Sequence, residues 1–141
     1  MKVLYNGCYG GFELSDEAVA EHGKRCDCSA AAAASTQARG CPVLIEIVEE
    51  LGSERSSGRH SEIKVAEFDD KFVGCIRFDE YDGLETVRVD VMEYKLRSIQ
   101  SVLKSNCSSE EGMERIRGIL SEKQDCDLLR SKMPTLKKKK E

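Results

Sequence analysis

The chain has 141 residues, 22 basic and 26 acidic side chains, and a formal net charge of −4. Hydrophobic residues make up 40% and charged residues 34%, which suits one small core with an appendage rather than two full domains. No apolar run is long enough to span a bilayer as a helix, and Met1–Gly7 reaches polar residues and Gly too soon for a secretory signal.

Lys2–Tyr5 is a short apolar entry that reads as a strand, and Asn6-Gly7-Cys8-Tyr9-Gly10-Gly11 after it reads as a tight turn. Ser15 is placed as the N-cap of a helix, with Asp16 and Glu17 in its first turn and Lys24-Arg25 at its end. Residues 26–40, with five alanines at 30–34, carry no apolar periodicity and read as a variable linker. Pro42–Leu51 is a helix started by Pro and stopped by Gly52, with Leu44, Ile45, Val48 and Leu51 on its inner face. A polar loop over 53–61 holds Arg55, Arg59 and His60.

Three strand-like runs follow, 62–68, 72–78 and 84–91, the last two joined by Glu80-Tyr81-Asp82-Gly83. The Asp-Gly pair suits a hairpin. An antiparallel meander of three strands is expected. Met92, Leu96, Ile99 and Leu103 recur at helical spacing, and Ser108 with Glu111 opens a second helix with Met113, Ile116, Ile119 and Leu120. These two helices predict a hairpin. Periodicity weakens beyond Ser121, Pro134 ends any helix, and Lys137, Lys138, Lys139 and Lys140 form a basic tail. The expected fold is α+β: a small antiparallel sheet packed with two helices over 1–91, a helical extension over 92–121, and a weakly structured tail over 122–141.

Charge divides with this organisation. Residues 1–91 hold 10 basic and 18 acidic side chains, whereas 92–141 hold 12 and 8. A solvated end is the simplest reading of the four lysines, and nucleic-acid contact would run through them alone. No aromatic side chain interleaves with them.

The seven cysteines, at 8, 26, 28, 41, 75, 107 and 126, are odd in number and scattered, which points to free thiols in a reducing compartment. His22, Cys26, Cys28 and Cys41 are the one metal-like grouping. Cys-x-Cys is an uncommon zinc knuckle, so free thiols are the favoured reading and no metal or cofactor is expected. Gly7, Gly10 and Gly11, with Arg55 and Arg59, are the candidate anion-binding residues, although neither the phosphate-loop nor the dinucleotide pattern is complete. Cys8 with His22 or His60, and Asp79, Glu80, Asp82 and Glu85 at the hairpin, are the groups a hydrolase would use. No catalytic residue is assigned among them.

Leu4-Tyr5-Asn6-Gly7-Cys8-Tyr9-Gly10-Gly11-Phe12 with Leu14-Ser15-Asp16-Glu17-Ala18 resembles the opening of a short uncharacterised family of phages and large DNA viruses. Pro42–Gly52, Ser61–Glu67 and Glu80-Tyr81-Asp82-Gly83-Leu84-Glu85 resemble its central helix, later strands and turn. The resemblance covers about 3–89 in pieces and implies no catalytic residue. The Ala-rich segment and the extension after 91 depart from it. The expectation is a non-enzymatic viral interaction or structural protein of the host cytoplasm, a minor virion component. It would dock on a protein partner or on itself through Met92, Leu96, Ile99, Leu103, Met113, Ile116 and Leu120. The alternatives are a binder sequestering an anionic metabolite or nucleotide, and a Cys- or carboxylate-based hydrolase.

Overall fold

The computed structural model describes residues 1–28 and 38–122. The alanine run, Cys126, Pro134 and the Lys137–Lys140 tail lie outside them. In chain order the elements are β1 (Lys2–Asn6), α1 (Asp16–Arg25), α2 (Pro42–Ser56), β2 (Ile63–Glu67), β3 (Ile76–Tyr81), β4 (Leu84–Val89), α3 (Val91–Lys104) and α4 (Ser109–Ser121). Short 3-10 turns lie at Ala38–Gly40 and Asp70–Phe72. The fold is α+β with a C-terminal helical hairpin, as the periodicities indicate. The described chain forms two compact units: Met1–Lys71 with Phe78–Arg88, and Phe72–Arg77 with the chain from Val89 onward.

In the first unit, β1 and β2 pair antiparallel, with Leu4 opposite Val65 and Asn6 opposite Ile63. Leu4 and Ile63 have no exposed surface and pack with Leu44, Ile45, Val48 and Cys41 into the core, flanked by Phe12, Leu14, Val43 and Val65. The Ser15 hydroxyl accepts the Ala18 N–H at 3.1 Å, satisfying an orphan donor of α1 as the sequence predicts. The buried residues of α1 are Ala18 and His22, while Val19 is 40% exposed. Gly52 does interrupt α2: its φ of 78° and ψ of 163° break the spiral, which then resumes for one more turn to Ser56.

The strands form two pairs, β1 with β2 and β3 with β4, and not one three-strand meander. Two features redirect the chain between β2 and β3. The Cys75 N–H closes a turn on Phe72 O at 2.9 Å, and Gly74 adopts φ of 78°. Phe72 therefore sits in a 3-10 turn instead of opening a strand. The β3–β4 link is the expected two-residue turn, with positive φ at both Asp82 (52°) and Gly83 (82°).

In the second unit, Asp90 ends β4 by capping α3, its Oδ1 accepting the Glu93 N–H at 3.0 Å. Val91 thus begins a helix instead of extending a strand. The Ser108 hydroxyl accepts the Glu111 N–H at 3.3 Å and starts α4 where the capping spacing places it. Lys95 Nζ, early in α3, donates to Leu120 O and Glu122 O at 3.1 Å, so the two helices run antiparallel.

Candidate functional site

Four ligand-type side chains converge at the junction of α1 and α2. His22 lies on the last turn of α1 with its imidazole buried (2% exposed), and Cys26 is the C-cap, its N–H bonded to His22 O at 2.8 Å. Cys28 follows in an exposed bend, and Cys41 is the buried N-cap of α2. His22 Nε2 lies 3.5 Å from Cys28 Sγ and 3.5 Å from Cys41 Sγ. Cys28 Sγ and Cys41 Sγ are 3.7 Å apart, and Cys26 Sγ and Cys28 Sγ 2.9 Å. All four ligand atoms fall within 4.8 Å of one another. The hydrogen bond to Cys28, followed by burial and the neighbouring sulfurs, holds the Cys26 thiol above its ordinary pKa, offset in part by the Cys28 N–H. These are the four residues that the sequence singles out as a metal-like grouping, and the packing of α1 against α2 brings them together. No described cysteine forms a disulfide.

The Gly-rich opening is a structural knot around Asn6, which is fully buried. Asn6 Nδ2 donates to Cys8 O at 2.6 Å and to Gly83 O at 2.7 Å. Its Oδ1 accepts the Glu62 N–H at 2.8 Å, and its own N–H donates to Glu85 Oε2 at 2.7 Å. One side chain thereby ties the Gly7–Gly11 turn to the hairpin tip and to the start of β2. A Cβ on Gly83 would lie 2.6 Å from Gly10 N and 2.3 Å from Gly11 N, so only glycine lets the two turns meet. Arg39 completes the knot. It pairs with Glu85, and its guanidinium lies over the rings of Phe12 (4.4 Å) and Phe78 (4.9 Å). By composition Arg39 falls in the linker-like stretch 26–40; its one distinguishing signal there is that it is a lone cation between Cys28 and Ile45, a stretch otherwise without charge.

The remaining candidates are engaged or separate. Arg55, proposed with the glycines for anion binding, pairs with Glu17, while Arg59 is exposed. Cys8 Sγ lies 3.5 Å from the backbone oxygen of His60 and 3.5 Å from Asn6 Oδ1. At the hairpin, Asp79 pairs with Arg88, Glu80 accepts the Gly83 N–H at 2.8 Å, and Glu85 holds Arg39.

The apolar stripe of the second unit points outward. Met92 is 77% exposed and Leu103 70%; Leu96, Met113 and Leu120 are each more than half exposed, with Ile99 and Ile116 half-buried. At about 100° per residue, the α3 stripe lies about 80° round from the Lys95–Val102 line that meets α4. Met113 and Leu120 lie about 90° round from Gly112, whose Cα faces Val102 and Cys107. In antiparallel helices both rotations lead to the same side, so these residues share one face of the hairpin. No described helix is long and apolar enough to cross a membrane. No family model matches the chain, and neither does a curated protein or a solved structure.

Proposed function

We propose that this protein is a non-enzymatic structural protein that self-associates through the outer face of α3 and α4, with the first unit as its scaffold. The observation that carries the reading is the single-sided apolar face from Met92 to Leu120. A second copy fits it best. Its five most exposed residues leave on the order of 500 Å² of apolar surface open, against about 800 Å² per partner in a standard interface, and Ile99, Ile116 and the polar rim extend it. The two helices are also opposite in net charge: α3 carries Lys95, Arg97 and Lys104 against Glu93, whereas α4 carries Glu110, Glu111 and Glu114 against Arg115 and Arg117. A two-fold pair with α3 of one copy beside α4 of the other brings helices of opposite net charge together and forms a four-helix bundle. The resemblance of the Gly-rich opening to a family of phages and large DNA viruses supports placing this role in a virus, as a minor virion component.

Light scattering on the full chain across a micromolar concentration range tests this. Twice the chain mass is expected for the native protein, and the single-chain mass for Leu96→Glu and Leu103→Glu with unchanged circular dichroism. A native protein that stays monomeric throughout overturns the reading, whether residues 123–141 or another protein covers the face.

A further inference from the structure

We propose that His22 Nε2 and the Sγ atoms of Cys26, Cys28 and Cys41 bind one zinc ion as a closed structural site. The inference is independent of self-association. A tetrahedral zinc with Zn–S near 2.3 Å and Zn–N near 2.0–2.1 Å sets two sulfurs about 3.7 Å apart and a sulfur and a nitrogen about 3.5 Å apart. The Cys28–Cys41 separation is 3.7 Å, and both His22 separations are 3.5 Å. The Cys26–Cys28 pair, at 2.9 Å, opens to that spacing by side-chain rotation, for which Cys28 has room as an exposed residue.

Two backbone features would support thiolates once the metal is bound. The Cys28 N–H points at Cys26 Sγ at 3.4 Å, a backbone donor two residues downstream in the position that supports a metal-bound sulfur. Cys41 sits at the N-cap of α2, whose first turn carries no acidic residue, so the positive end of that helix faces the site. The buried imidazole directs Nε2 at two sulfurs. Three thiolates and one imidazole are soft to borderline ligands, which select zinc over calcium or magnesium. On binding, each thiol gives its proton to water, and the site becomes a net −1 centre.

Four protein ligands leave no open position, so the ion is structural rather than catalytic. It would clamp the end of α1 to the start of α2, with Cys41 already part of the core.

The test uses the full chain purified with zinc, then exchanged with cobalt. One metal ion per chain is expected. Cobalt should show the visible bands of a tetrahedral site with thiolate charge transfer in the near ultraviolet. Cys28→Ser, at an exposed position, should weaken zinc binding by at least about a hundredfold while the fold persists. His22→Cys should keep a tetrahedral site with stronger charge transfer, and Cys8→Ser and Cys107→Ser should change nothing. Leu96→Glu should retain the metal, which separates this outcome from that of self-association. A folded chain that takes up neither zinc nor cobalt, or equal loss of metal in Cys28→Ser and Cys107→Ser, overturns the proposal.

Discussion

Replacing Asn6 with Leu tests whether the Gly-rich opening is held by hydrogen bonds or by packing alone. The side chains are similar in volume, so the site stays filled. The substitution removes two donors and one acceptor, those serving Cys8 O, Gly83 O and Glu62 N. At about 1 kcal/mol net per bond the loss is about 3 kcal/mol, rising to about 5 kcal/mol if the abandoned groups stay dry. That is a large share of the roughly 5–15 kcal/mol typical of a domain. Urea unfolding, followed by circular dichroism in the presence of zinc, should show a lower midpoint at an unchanged slope. Asn6→Asp should cost more, because it sets a carboxylate against two carbonyl oxygens while Glu85 approaches from the backbone side. A loss below about 1 kcal/mol for Asn6→Leu would refute the account of Asn6 as the tie between the two turns.

Two other predictions come from the first unit. Arg39→Met strands the Glu85 carboxylate in a buried position and should cost about 3–5 kcal/mol, whereas Arg39→Met with Glu85→Gln should recover part of that, since Gln can still accept the Asn6 N–H. A double-mutant cycle by urea unfolding measures this, and strict additivity would sink it. Burial, followed by the charge of Glu62, raises the Tyr5 pKa above its ordinary 10.0. Between that value and the raised one, the unfolded chain has lost the phenolic proton and the folded chain keeps it, so stability is full below pH 10 and falls as pH rises through this window. Tyr5→Phe should remove that part of the alkaline decline, and parallel curves for the two proteins above pH 10 would contradict it.

Local signals were legible where a single residue type does a local job. Ser15 and Ser108 cap helices, Pro42 starts one, Gly52 breaks one, and Asp82-Gly83 turns the hairpin, because each depends on backbone conformation within a few residues. Strand pairing was not legible. β2 reads equally well beside β1 or β3 by alternation, and the Phe72–Cys75 turn settles the choice. The metal-type cluster was visible as four residue types but not as a site. Its closure depends on the packing of α1 against α2, and twelve residues separate Cys28 from Cys41. Glu85 looked like one more acidic residue of a hairpin tip. Its burial follows from Arg39, distant in sequence and lying in a stretch without periodicity.

The orientation of α3 carries the functional argument furthest. Periodicity alone defines a stripe of Met92, Leu96, Ile99 and Leu103 but not which way it faces. Two contacts fix the rotation. Tyr94 meets Phe72 edge-on with ring centroids 5.1 Å apart, and Asp90 is held by Arg77 at 2.9 Å while it caps the helix. With Tyr94 and the buried Val102 turned inward, the stripe points outward by geometry. A helix that buries only a Val and half-buries a Tyr while exposing two Leu and a Met is paired below its hydrophobic capacity. The proposed second copy would supply the missing burial at the residues that periodicity singles out.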